Sequence, residues 1–227
     1  MKLHASSLPG PTRRFVLGLL ALLTGLALGA ASPLALAVEA PDKQIEKLSA
    51  EVLARIKADP EIRAGNLDRI SQAVDEMLMP SVDFKRMTAL SVGRGWREAT
   101  PEQRATIVEE FRMLLLRTYS GALAEVRDQS IRMKPLRADP ADTDVIVRSE
   151  VIGQGTEPIQ LDYRMRRTDE NWKIYDINVL GVWMVETYRS QFGQIINQSG
   201  IQGLIDSLRE RNSRGAEAAP PPPKAKG

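Results

Sequence analysis

The spacing of apolar residues changes from near four to two at Asp128, and that switch confines the chain to a small set of folds. Upstream of it, Ile45, Leu48, Val52 and Ile56 recur at intervals of three and four, as do Leu67, Ile70, Val74, Met77 and Leu78 until Pro80 interrupts. Each series predicts an amphipathic helix, because side chains three and four apart share one helical face. A short helix is expected from Asp83 to Ser91, with a break at Gly93-Arg94-Gly95. Thr100-Pro101-Glu102-Gln103 combines an N-cap threonine, a proline at the first helical position and a glutamine three residues on, which is a capping box. It launches a long helix to about Val126, with Ile107, Phe111, Leu114, Leu115, Thr118, Tyr119 and Leu123 on a broad apolar face.

Downstream the alternation is that of strands. Ile131, Met133 and Pro135 alternate with Arg132 and Lys134, and Val145, Val147, Ser149 and Val151 with Ile146, Arg148, Glu150 and Ile152. Ile159, Leu161, Tyr163 and Met165 alternate with Gln160, Asp162, Arg164 and Arg166, and a fourth strand runs from Trp172 to Val179. The polar stretch Thr168-Asp169-Glu170-Asn171 makes the last two an antiparallel hairpin. Two helices follow, Val182 to Gln198 and Ile201 to Arg211, with Gly200 between them. A sheet with one apolar and one charged face needs a cover on the apolar side, and the helices supply it. The fold class is therefore α+β: N-terminal helices, a long central helix, a curved antiparallel four-stranded sheet and two C-terminal helices.

The ends of the chain are of a different kind. Lys2, Arg13 and Arg14 precede an uncharged stretch from Phe15 to Ala31, and Ala35-Leu36-Ala37 has small residues at signal-peptidase spacing. Residues 1–37 read as a signal peptide cut after Ala37, the alternative being a retained anchor, and Thr12-Arg13-Arg14-Phe15 loosely matches a twin-arginine signal. Residues 215–227, with Pro220 to Pro223, contain no apolar side chain larger than alanine and read as a disordered tail. Residues 38–214 are left as one domain.

Removing the signal takes three of the 31 basic residues and none of the 29 acidic ones, leaving 28 against 29, a net charge of −1. Such a chain has no basic footprint for nucleic acid. It has no cysteine, and its one histidine, His4, lies in the signal. Thiol nucleophiles, Cys- or His-ligated metals and histidine general bases are thereby excluded from the processed chain. No cofactor or metal is expected.

An apolar cavity fits better than a reaction centre. Val147, Val151, Leu161, Tyr163, Met165, Tyr175, Ile177 and Val179 can point to one side of the sheet. Phe111, Leu115, Tyr119, Met184, Tyr188 and Phe192 of the helices can face them. Methionines at 77, 79, 87, 113, 133, 165 and 184 suit an adaptable pocket, but they fill ordinary cores equally well, and the pattern alone does not divide pocket from core. A bulky or charged group at Val147 or Val151 is expected to block loading with the fold intact. Arg132, Lys134, Arg148, Arg164, Arg166 and Arg167 lie on the polar side, either solvated or facing an anionic partner. Tyr163, Tyr175 and Asp176 are the residues from which a proton-abstraction site would be built, but Asp176 is expected to bond backbone or an arginine instead.

Several stretches resemble the MlaC / toluene-tolerance family of periplasmic proteins. They are Trp96-Arg97, Ala99 to Arg104, Phe111, Leu114-Leu115, Thr118-Tyr119, Trp172 to Ile177, Gly181-Val182, Tyr188 to Phe192, Gly200, Gly203 to Ile205, and Leu208. The resemblance implies an α+β fold related to NTF2-like cones, with a deep cavity for acyl chains. It also implies a carrier, not an enzyme, that ferries phospholipid through the periplasm. Its partners would be an outer-membrane lipoprotein–porin complex and an inner-membrane ABC transporter with an MCE-domain subunit. A hopanoid or other lipid cargo, or an adaptor role without cargo, are the alternatives. The chain departs from the family pattern at Trp183, where a small polar residue is common, and at Leu180, near which an acidic one is common.

Overall fold

Asp59, Asn66, Asp83 and Thr100 each start a helix, because their side chains satisfy backbone N–H groups that the first helical turn leaves unpaired. The computed structural model describes residues 38–154 and 157–214; the signal peptide expected over 1–37 and the tail expected over 215–227 lie outside the described residues. Helix α1 spans Pro41–Ala58. Asp59 ends it and caps the short helix α2, Pro60–Arg63, by accepting the N–H groups of Glu61 and Ile62. Asn66 caps α3, Leu67–Ala73, in the same way.

The chain then widens into a π-helical turn, Val74–Leu78, in which the Met79 N–H bonds the Val74 carbonyl five residues back. Pro80 supplies the cause: it has no N–H to continue the ladder, and its ring crowds the preceding turn. A 3₁₀ turn, Met79–Ser81, leads to α4, Phe84–Val92, capped by Asp83, and to the short α5, Gly95–Glu98. Helix α6, Pro101–Ala124, starts at the expected capping box, with both reciprocal bonds between Thr100 and Gln103 present.

The sheet is a five-stranded antiparallel meander, ordered β1 to β5: Ser130–Met133, Asp144–Ile152, Ile159–Arg167, Trp172–Val179 and Val182–Trp183. The four expected strands are present, and a fifth adds to them. Val182 and Trp183 pair back onto Val179 and Asn178 instead of opening a helix. The turn joining them is Leu180-Gly181, both at positive φ, 53° and 87°, as a two-residue hairpin demands. The Asn178 side chain holds it by accepting the Gly181 N–H at 2.9 Å. Helix α7, Met184–Arg214, breaks at Gly200, where φ is 67°, so the two expected C-terminal helices are its two limbs.

Three buried clusters hold these elements together. The first joins α4, α6 and α7 around Phe111, whose ring centroid lies 4.7 Å from Tyr188, 5.1 Å from Phe192 and 5.6 Å from Phe84. Full burial of a side chain this size contributes roughly 1.5–3 kcal/mol. The second places Ile45 of α1 under Val145, Val147, Tyr163, Met165, Trp172 and Ile174 of the sheet. The third is Ile56, Ile62, Ile70 and Leu116. Sheet and helices are fastened along β4. The Gln44 amide donates to the Trp172 carbonyl at 2.7 Å and accepts the Trp172 N–H at 3.1 Å. The Asp83 N–H donates to the Ile174 carbonyl at 2.8 Å. None of the described helices is long and apolar enough to cross a membrane.

Candidate functional site

Strand register sorts the sheet's apolar face into rows, since residues directly opposite one another across strands share a face. Val145, Met165 and Ile174 form one row, and Val147, Tyr163 and Ile177 the next. Of these six only Ile177 is more than slightly accessible; Val147 and Met165 are fully buried. Further along come Ser149, Leu161, Val179 and Val182, then Ile131, Val151 and Ile159. Here the apolar side chains are half-buried, and Val182 and Ile159 are 36% and 42% exposed. The apolar face is thus closed where Ile45 of α1 packs on it and more accessible toward Ile159 and Val182.

The helical wall has the same gradation. Phe111, Met184 and Tyr188 are buried in the first cluster, while Leu115 and Tyr119 are half-buried against it. The main packing partners of α6 are α2, α3, α4 and α7, all helices. Ile177 touches both the helical and the sheet cluster and marks where the two walls meet.

Of the fourteen residues singled out from the sequence, thirteen therefore fall on these two walls. Phe111, Val147, Tyr163, Met165, Met184, Tyr188 and Phe192 lie in their closed part, and Leu115, Tyr119, Val151, Leu161, Ile177 and Val179 in their half-buried part. Tyr175 is the exception. Arg164 pairs with Asp176 and Met165 with Ile174, which leaves Tyr175 as the extra residue of a β-bulge. Strict alternation put it beside Ile177; the bulge moves it out, and the Arg86 guanidinium lies over its ring at 4.4 Å. Sequence reasoning in turn missed Ile159 and Val182 as part of the open wall. Ile159 already stood in the alternating pattern, whereas Val182 belongs to a strand too short to leave one.

The polar groups nearby are held, not poised. Burial pushes the Tyr163 hydroxyl up from its ordinary value, with Ser149 and Ser49 partly offsetting it, and burial also pushes up Tyr188. Asp176 is buried and its Oδ2 accepts from Arg164 at 2.9 Å, while Oδ1 accepts the N–H groups of Ile177 and Val185. It sits in register with Arg164, not with Tyr163, so these residues do not assemble a proton-abstraction site. Arg164 also stacks on Trp183 at 3.9 Å, which ties the edge strand β5 to the polar side.

Among the described residues, two spaces lie away from these walls, beside α1, α2 and α3. A groove of about 700 Å³ is lined by Arg55, Asp59, Glu61, Asp68, Arg69 and neighbours; it is polar, with Asp59 and Arg69 paired at 2.7 Å. An apolar pocket between α1, α3, the π turn and α6 leaves only about 40 Å³. Neither is the lipid-sized apolar cavity implied by the family resemblance.

Comparison with known proteins agrees with this architecture. The family model described as MlaC protein matches residues 46–210. A toluene tolerance protein ttg2D of Pseudomonas putida is 26% identical over 205 residues, 89% of this chain and 93% of that one. An intermembrane phospholipid transport system binding protein MlaC of Haemophilus influenzae is 26% identical over 196 residues, 85% and 88% of the two chains. Among solved structures, a phospholipid-binding protein from Ralstonia solanacearum in complex with a phospholipid superposes with a TM-score of 0.75 at 47% identity. That match covers 77% of this chain and 97% of the other.

Proposed function

Because the chain belongs to the MlaC family, we propose that it is a carrier that binds phospholipid by its acyl chains and moves it between membranes. The observation that carries this reading is the sheet's apolar face, half-buried at Leu161, Val179 and Val151 and exposed at Ile159 and Val182. The phospholipid complex of the 47%-identical relative supports it. A diacyl lipid carries about thirty methylenes, and exposing them to water costs about 0.8 kcal/mol each, so unassisted crossing of an aqueous gap is very slow. A protein that shields the chains removes most of that barrier without any reacting group. The more accessible rows give the chains a surface to enter on.

The working compartment in this proposal is the periplasm, reached through the signal peptide at residues 1–37. The donors and acceptors are an outer-membrane lipoprotein–porin complex and an inner-membrane ABC transporter with an MCE-domain subunit, whose ATPase supplies direction. Uptake of a fluorescent phospholipid from vesicles tests the site. Val151→Asp places a charge on the open row and is expected to reduce uptake at least tenfold while the melting temperature moves little. Unchanged uptake by that variant would remove the open rows from the lipid path.

A further inference from the structure

We propose that the small apolar pocket at the π-helical turn receives the end of an acyl chain and thereby selects chain length. This rests on the carrier reading and deepens it. Two rows of apolar side chains, each spaced by one helical turn, lead to the pocket. On α1 they are Leu48, Val52 and Ile56, the first packed on the sheet cluster and the last two on the cluster around Ile70. On α6 they are Leu115, Tyr119 and Leu123, the first two packed on the cluster around Phe111. Val52, Ile56 and Leu123 all line the pocket, so both rows end there. Leu48, Val52, Leu115, Tyr119 and Leu123 are only half-buried, as the walls of a crevice between two helices would be.

The pocket owes its space to the backbone. A π turn carries one residue more per turn than the α-helix before it, and Val74, Met77 and Leu78 of that turn form one side. Among its lining residues the one polar side chain is Arg55, which also borders the polar groove. A water inside would find too few partners to replace its bonds in the liquid, so the site suits an apolar occupant. Its roughly 40 Å³ compares with about 30 Å³ for one water molecule in the liquid, which is room for a chain terminus and little more. Each methylene that finds a place there favours binding about fourfold, and each one that does not is forced back along the crevice. Met77, with its flexible side chain, and Ala73, the smallest lining residue, set where the pocket ends.

The test loads the full chain from vesicles of a single headgroup whose saturated chains cover a graded series of lengths, then measures the bound chain lengths by mass spectrometry. Ala73→Leu fills the pocket and is expected to shift the bound population severalfold toward shorter chains. Met77→Ala enlarges it and is expected to shift the population the opposite way, which keeps the test decisive if the first variant folds poorly. Wild-type protein that loads lipid, with both variants loading the same length distribution, overturns the length selection and leaves the carrier intact. Wild-type protein that takes up no lipid at all overturns the carrier reading and this proposal with it.

Discussion

Val147 and Val151 lie on one strand and one face, yet their environments separate them. Val147 is fully buried between Tyr163 and Ile45's cluster, whereas Val151 is half-buried in the open row. The sequence presents them as equivalent, because alternation reports the face but not where along the strand the cover ends. A charge at Val147 would be desolvated without a partner, a change that unfolds marginal domains. Val147→Asp is accordingly expected to abolish the cooperative melting transition, while Val151→Asp keeps it; circular dichroism melts of the two variants check this. The expectation that either position would tolerate a charge is corrected for Val147 by its burial.

Two carboxylates make stability depend on pH with opposite signs. Burial raises the Asp176 pKa, against the backbone N–H of Val185 and the Arg164 guanidinium, which lower it. Its folded state favours the proton, so its contribution becomes more favourable as pH falls through the raised folded value toward the ordinary one. Glu150 is held below its ordinary value by hydrogen bonds from Lys134 and then Arg132. Its contribution is present above the ordinary carboxylate range and is lost as pH falls through the lowered folded value. Substitution separates the two: in melts across the acid range, Asp176→Asn should remove a gain on acidification and Glu150→Gln should remove a loss. The same sign from both variants would contradict the assignment.

At the scale of elements, the parts written in local chemistry were legible. The capping box at Thr100, the four alternating strands and the Gly200 break all rest on contacts within a few residues, and each appears where the pattern put it. What the pattern missed needs partners elsewhere in the chain. β5 has only two residues and exists because the Leu180-Gly181 turn returns it to β4. The bulge at Tyr175 is a mismatch between two strands, which neither strand shows alone. Leu180 at φ 53° is a non-glycine residue in a left-handed conformation, so the hairpin is held by Asn178 and the Trp183–Arg164 stack against a local cost. Gly200 carries the opposite lesson: at φ 67° a glycine is at no disadvantage, and a Cβ there would meet no other atom within 4 Å. Gly200→Ala, at φ 67° and ψ −173°, is therefore expected to cost roughly 1–3 kcal/mol through backbone strain alone, lowering the denaturation midpoint without affecting lipid uptake. A variant as stable as the parent would show that the bend relaxes into one continuous helix.

For the whole molecule, the division of labour lies between a helical body centred on Phe111 and a sheet whose apolar face that body only partly covers. The sheet is fastened to the helices along β4 through Gln44, Asp83 and Asp176, and its rows become more accessible toward Ile159 and Val182. The proposed carrier role requires such an end, since chains must enter and leave without either wall unfolding. The most direct measurement is native mass spectrometry of the protein after incubation with phospholipid vesicles, followed by extraction and identification of whatever is bound. The account predicts one phospholipid per chain in wild-type protein and its loss in Val151→Asp; a wild-type protein that remains at its bare mass would contradict it.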